Sequence, residues 1–221
     1  MSRLNNLHAP TASISRAQRE ARNGHRGTAI LLTGLPAAGK STLAQALHAQ
    51  LFERGVQSVV LDGDGLRIGL NRDLGFTDSD RQENIRRASE LAALLVENGQ
   101  VVILAMIAPL LELRELFAKR LGEDYREVWC NASLSVCEQR DPKGHYARAR
   151  RGDLPGFTGV CAPYEPPPAA ALILDTGVQS VEACLDRLLT WLGECAVLPK
   201  PSPLATGHQS FKISATDLPC P

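Results

Sequence analysis

An α/β fold, in which helices cover both faces of a parallel sheet, is predicted by three features of the sequence. Apolar runs of strand length recur five times, separated by segments with helical periodicity. A glycine-rich turn joins the first run to the first helical pattern. The composition, 44% hydrophobic and 22% charged, is that of a globular chain able to bury a core.

The elements follow in order. Residues 1–26 are polar, lack a long apolar period and carry a turn signal at Asn23-Gly24, so they read as an N-terminal extension. A single domain is expected over 27–195. Thr28–Thr33 is the first strand, and Ser41–Arg54 the first helix. Gln57–Leu61 is a second strand, and the Asp- and Gly-rich residues after it read as a polar loop. A long helical pattern covers about 80–98 and stops at Gly99. Val101–Ile107, Tyr125–Cys130 and Leu172–Asp175 complete the strands. Leu111–Leu121, Leu134–Arg140 and Val181–Leu192 are the remaining helices. Asp141–Pro168, rich in proline, glycine and charge, is too long for a plain connection and reads as a lid. Residues 196–221 read as a flexible tail.

Several function classes are excluded by the bulk properties. The formal net charge is zero, so no global field draws the chain to nucleic acid or to an anionic membrane. The six cysteines form no C-x-x-C pair and no zinc-spaced cluster, as expected of reduced thiols. No stretch reaches the length of a membrane span, and the start of the chain lacks a signal-like apolar region. A cytoplasmic location is the expectation.

Gly34-Leu35-Pro36-Ala37-Ala38-Gly39-Lys40-Ser41 fits G-x-x-x-x-G-K-S/T and lies between a strand and a helix, where a phosphate-binding loop must be. Its N–H groups, continued by Ser41 and Thr42, would cradle the phosphates of ATP at a helix N-terminus. Lys40 can span the β- and γ-phosphates, and the Ser41 hydroxyl can ligate Mg²⁺. The expected architecture is therefore of the P-loop NTPase type. A GTPase would want an N-K-x-D segment, which is absent, and a mechanical ATPase would want more chain. A small-molecule kinase fits better, with a nucleotide as its partner.

Such a kinase needs a carboxylate beside the acceptor hydroxyl. Asp62 and Asp64 lie at the C-terminal end of the second strand, on the edge where α/β sheets bind ligands. Either could hold Mg²⁺ through water or accept a proton, or Asp62-Gly63-Asp64-Gly65 could be only a turn. Arg67 follows, and Arg81, Asn84 and Arg87 recur at a spacing of three, as an anion pocket or as a solvated helix face. Lys143, His145, Arg148, Arg150 and Arg151 make the lid basic. Phe157, between glycines, reads as an exposed aromatic suited to stacking on a purine.

These strings together resemble the adenylylsulfate kinase family. The resemblance is carried by the phosphate loop, by Leu61-Asp62-Gly63-Asp64, by residues 69–76 (GLNRDLGF) and by residues 80–87 (DRQENIRR). It extends through Asp141-Pro142-Lys143-Gly144, Gly156-Phe157-Thr158-Gly159 and Pro163-Tyr164-Glu165, and covers roughly residues 6–195. It implies transfer of the γ-phosphate of MgATP to the ribose 3′-hydroxyl of adenylylsulfate. It further implies Lys40 and Asp64 as catalytic residues, with Ser41 and Asp62 toward Mg²⁺. Arg67, Arg81 and Asn84 would contact the phosphosulfate, Ile107 would form a pocket wall, and Lys143 would sit in the lid. Phe76 and Phe157 would sandwich the adenine, and a homodimer would be possible. Another nucleotide or hydroxylated metabolite as acceptor, or a non-catalytic nucleotide-binding module, are the alternatives. The chain departs from the family on the acceptor side. Gly65 and Ile68 stand for an Asn and a His, Ala108 for a serine, Leu111 for an arginine and Cys161 for an aspartate.

Overall fold

The computed structural model describes residues 13–198. The expectations for 1–12, for Cys220 and for the tail beyond residue 198 lie outside the described residues. In chain order the helices are α1 (Arg16–Asn23), α2 (Lys40–Glu53), α3 (Gly63–Ile68), α4 (Asp78–Glu97), α5 (Leu111–Leu121), α6 (Leu134–Arg140), α7 (His145–Arg150) and α8 (Val181–Glu194). The strands are β1 (Thr28–Thr33), β2 (Ser58–Asp62), β3 (Val101–Ala105), β4 (Tyr125–Cys130) and β5 (Leu172–Leu174). All pairings are parallel, in the order β2-β3-β1-β4-β5. Chain direction across the sheet therefore switches at β1, and the crevice beyond the strand ends at such a switch is where α/β folds bind ligands.

The alternation of side chains along β1 divides the core in two. Ile30 and Leu32 face one layer with Leu43 and Leu47 of α2 and Leu188 of α8. Ala29 and Leu31 face the other, with Ile85 and Ala92 of α4 and Phe117 of α5. All six residues of β1 are buried, as a central parallel strand requires. The long helix α4 is started by a capping box in which the side chains of Thr77 and Asp80 satisfy each other's backbone N–H. Among the described residues, no helix is long and apolar enough to cross a membrane.

Four readings from sequence are corrected. The N-terminal segment contains a helix, α1, that buries no residue and so leaves no apolar signature. It is held instead by polar contacts, with Arg16 bidentate on Asp124 at 2.5 and 2.6 Å and Asn23 Nδ2 donating to Gly99 O at 3.3 Å. In place of an Asp-Gly-Asp-Gly loop, Asp62 ends β2 and caps α3, accepting from Asp64 N at 2.9 Å, and Gly63, Asp64 and Gly65 begin that helix. The lid contains α7, capped by the Asp141 carboxylate through Tyr146 N and Ala147 N, both at 3.1 Å. Finally, within the segment read as tail, Val197 is buried in the core and its carbonyl accepts from Arg26 N at 3.3 Å.

Candidate active site

The loop after β1 is shaped for an anion. Gly34 has φ 153°, and a Cβ there would come within 2.5 Å of Cys130 O, so only glycine fits between β1 and β4. Gly39, the N-cap of α2, has φ 90° and offers no side-chain cap. The first N–H groups of α2 are thus left for a ligand, with the positive end of the helix dipole behind them. Ala37 takes φ 60°, a conformation uncommon for a residue with a Cβ and one that gathers at functional loops. The loop is braced by Tyr146 of α7, whose hydroxyl donates to Pro36 O at 3.0 Å.

Lys40 is buried, and its ammonium donates to Gly34 O at 3.0 Å and Leu35 O at 2.7 Å. Burial lowers its pKa to about 8. A lysine folded back on its own loop carbonyls is available to any better acceptor that enters the cradle. Ser41 Oγ donates to Asp62 Oδ2 at 2.6 Å, bringing the two candidate Mg²⁺ residues together. Among the described residues, no cluster of three or more Asp, Glu, His or Cys could hold a metal unaided. Mg²⁺ keeps most of its waters and takes one or two protein oxygens plus substrate phosphates, and the Ser41–Asp62 pair offers two such oxygens.

Asp64, in the first turn of α3, faces the lid. Its carboxylate pairs with Lys143 Nζ at 2.5 Å in an exposed ion pair that raises the lysine's pKa. Nearby, Arg67 donates to Gly75 O at 2.6 Å and stacks on Phe76 with its guanidinium carbon 4.5 Å from the ring centre. Arg81 approaches the same ring at 5.8 Å, and donates to Phe76 O at 3.0 Å and to Gly156 O of the lid at 2.9 Å. Phe76 itself is 69% exposed.

Other candidates are differently placed from their reading in the sequence. Asn84 is buried, and its Oδ1 accepts from Asn71 Nδ2 at 2.9 Å, so its carbonyl holds the turn ahead of Phe76. Arg87 is consumed by Asp73, at 2.7 and 2.8 Å, and by Glu83 at 2.8 Å. Phe157 is half-buried rather than exposed, with the rings of Tyr146 and His145 packed edge-on at 5.0 and 6.1 Å. In the lid, Arg150 pairs with Glu138 and Arg151 with Asp153 on the exposed surface. Ile107 lies just beyond β3, its carbonyl accepting from Thr33 Oγ1 at 2.6 Å.

Three residues went unread. Tyr146 braces the phosphate loop. Arg140 Nη2 donates to Thr176 O at 2.6 Å, tying the end of α6 to the loop after β5. Arg114 is buried beneath Ile107–Pro109. Tyr146 and Arg140 belong to no periodic or glycine-rich pattern, and Arg114 alone carries a signal, as an arginine on the apolar stripe of α5.

The family profile described as "Adenylylsulphate kinase" matches residues 26–175, well over half of the chain. The chain belongs to the adenylylsulfate kinase family. It is similar to a probable adenylyl-sulfate kinase of Bacillus subtilis, 47% identical over 182 residues, which are 82% of this chain and 92% of the relative. The adenylyl-sulfate kinase of Paraburkholderia xenovorans is 53% identical over 167 residues, covering 76% of this chain and 93% of its own. Among solved structures, an APS kinase from Mycobacterium tuberculosis in complex with AMPPNP and APS superposes with a TM-score of 0.73 at 42% identity. The match covers 76% of this chain and 99% of that one. A gluconokinase from Sinorhizobium meliloti, 17% identical with a TM-score of 0.55, shares the fold alone.

Proposed function

We propose that the chain is an ATP-dependent adenylylsulfate kinase, transferring the γ-phosphate of ATP to the 3′-hydroxyl of adenylylsulfate to give 3′-phosphoadenylylsulfate and ADP. One observation carries this reading: the uncapped start of α2 with Lys40 and the Asp64 carboxylate meet at one sheet edge, in a chain of this family.

The residues divide the work. The loop N–H groups hold the β-phosphate, and Lys40 leaves the carbonyls of Gly34 and Leu35 to follow charge onto the transferring phosphoryl group. Ser41 and Asp62 would hold Mg²⁺, which would supply charge neutralisation to the phosphates. Asp64 exchanges Lys143 for the acceptor hydroxyl and takes its proton as the new P–O bond forms and the bond to ADP breaks. Arg67 and Arg81 face the phosphosulfate, with Asn84 offering its amide nitrogen. Phe76 and Phe157 hold the adenine, and Ile107 closes the wall of the pocket. Lys143 and the rest of the lid exclude water, which prevents ATP hydrolysis. A homodimer in the cytoplasm completes the proposal, and sedimentation at assay concentration tests its first half.

The decisive experiment is a coupled ADP-release assay with adenylylsulfate against a panel of nucleotides and hydroxylated metabolites. ADP release with adenylylsulfate at the highest kcat/KM is expected. A better acceptor from the panel, which exposed Ile68 and Leu111 would favour, replaces the substrate, and no release with any acceptor overturns the enzyme.

A further inference from the structure

Arg114 is a charge with 1% exposure, set one turn into α5 among apolar neighbours. Its guanidinium forks between two segments far apart in sequence. Nη1 donates to Ala108 O at 2.9 Å and Pro109 O at 3.3 Å, Nη2 donates to Glu165 O at 2.8 Å, and Nε pairs with Glu127 of β4 at 2.6 Å. Around it the same two segments are laced directly. Glu165 N donates to Pro109 O at 2.8 Å, and the Glu165 carboxylate accepts from Leu111 N at 2.6 Å, capping α5. Tyr164 OH lies 3.2 Å from Thr33 Oγ1, the group that also holds Ile107 O.

A buried ion pair is a weak source of stability, since a well-packed apolar side chain of equal volume often does as well. What an apolar residue cannot do is satisfy three carbonyls at once in a planar fork. One of those carbonyls belongs to Ala108, which is buried with φ 41°, in the left-handed region that a residue with a Cβ enters only when its surroundings impose it. The imposed backbone is the segment Ile107–Pro109.

We propose that Arg114 is a positioning residue for the acceptor. Its guanidinium holds Ile107–Pro109 in the shape that walls the acceptor pocket, and ties that wall to Tyr164–Glu165, where the lid returns to the sheet. The inference rests on the reading of this edge as an adenylylsulfate site. It assigns Arg114 no contact with substrate. Lid movement is then confined to the part ahead of Pro163.

The test compares Arg114→Met and Arg114→Lys, each alone and combined with Ala108→Gly, in steady-state kinetics with both substrates varied. Hydrogen exchange is followed at 107–111, 163–166 and the phosphate loop. Arg114→Met is expected to raise the KM for adenylylsulfate about tenfold or more, with the KM for ATP within about twofold. Exchange accelerates in 107–111 and 163–166 together and is unchanged at 34–41. Ala108→Gly recovers about threefold or more of the loss, because glycine holds φ 41° without the clamp. Arg114→Lys, with one ammonium for three carbonyls, recovers only part. Equal rises in both KM values, exchange that quickens throughout the sheet, or no response to Ala108→Gly overturns the proposal. If Arg114→Met does not fold, Tyr164→Phe decides, with a rise of about threefold expected in the KM for adenylylsulfate alone. No such rise overturns the proposal equally. An unmodified chain inactive on adenylylsulfate refutes the substrate assignment instead, and the exchange measurement then still tests the clamp.

Discussion

The donor and acceptor sides of the cleft are built from different materials. On the donor side the chemistry is mostly backbone, fixed by burial: Gly34 wedged against Cys130 O, the bare first turn of α2, and Lys40 tucked under its own loop. On the acceptor side it is mostly side chain, exposed and held by other side chains, as in Lys143 on Asp64 and two arginines on Phe76. Backbone cradles are specified by a few glycines and can be preformed before any ligand arrives. Side-chain pockets are held by weak, solvent-screened pairs that a substrate must displace. The departures from the family, Gly65, Ile68, Ala108, Leu111 and Cys161, all fall on the acceptor side.

The largest effect should come from the group that would touch the reacting proton. Asp64→Asn is expected to lower kcat by roughly 10²- to 10⁴-fold while changing nucleotide affinity little, measured by single-turnover kinetics beside equilibrium binding. Loss of ATP binding with surviving chemistry would move Asp64 to the donor side. Lys40→Ala should cost about 10²- to 10³-fold in kcat, and near-native turnover would remove the donor side as described.

Phe157→Ala sharpens the contrast at an intermediate size. Aromatic stacking on a base is worth about 1–3 kcal/mol, so the KM for adenylylsulfate should rise roughly 5- to 150-fold and that for ATP barely change. A weaker ATP interaction instead would assign this ring to the donor. A pH series tests the buried lysine. With a pKa near 8 in the free protein, Lys40 is charged below that pH and progressively neutral above it. Phosphates favour the charged form, so ADP affinity should fall about tenfold between pH 7 and 9, with half-effect near pH 8 and proton uptake detected by calorimetry in two buffers. The smallest change is expected from Ala108→Ser, less than about tenfold in turnover if the hydroxyl only forms a hydrogen bond.

The same division explains what was legible in the sequence. The strands and large helices were visible because burial writes itself into residue order, as a continuous apolar run in the fully buried β1 and as helical periods in the large helices. The loop was visible because its glycines answer to close approach. Helix α1 was not, since polar pairs to Asp124 and Gly99 hold it and no apolar stripe does. Nor could spacing tell that Asn84 turns its carbonyl to Asn71, or that Arg87 is spent on Asp73 and Glu83. Arginines three apart look alike until the acids opposite them are in place. Arg114 shows the converse, a lone charge on an apolar stripe, one of whose partners, Glu165, lies 51 residues along the chain.

The place of β1 in the sheet bears on how the molecule is made. It is the first of the five described strands to be synthesised and the middle one in the order, yet it pairs with β3 and β4, which end at Ala105 and Cys130. Every neighbouring pair is parallel, so no local hairpin can shelter it while it waits. At ribosomal speeds of about 5–20 residues per second, the apolar run of β1 stays unpaired on one side for several seconds after leaving the tunnel. The apolar run that later anchors the phosphate loop is thus left unpaired during synthesis, and the fit of Gly34 against Cys130 O is complete only once β4 has emerged.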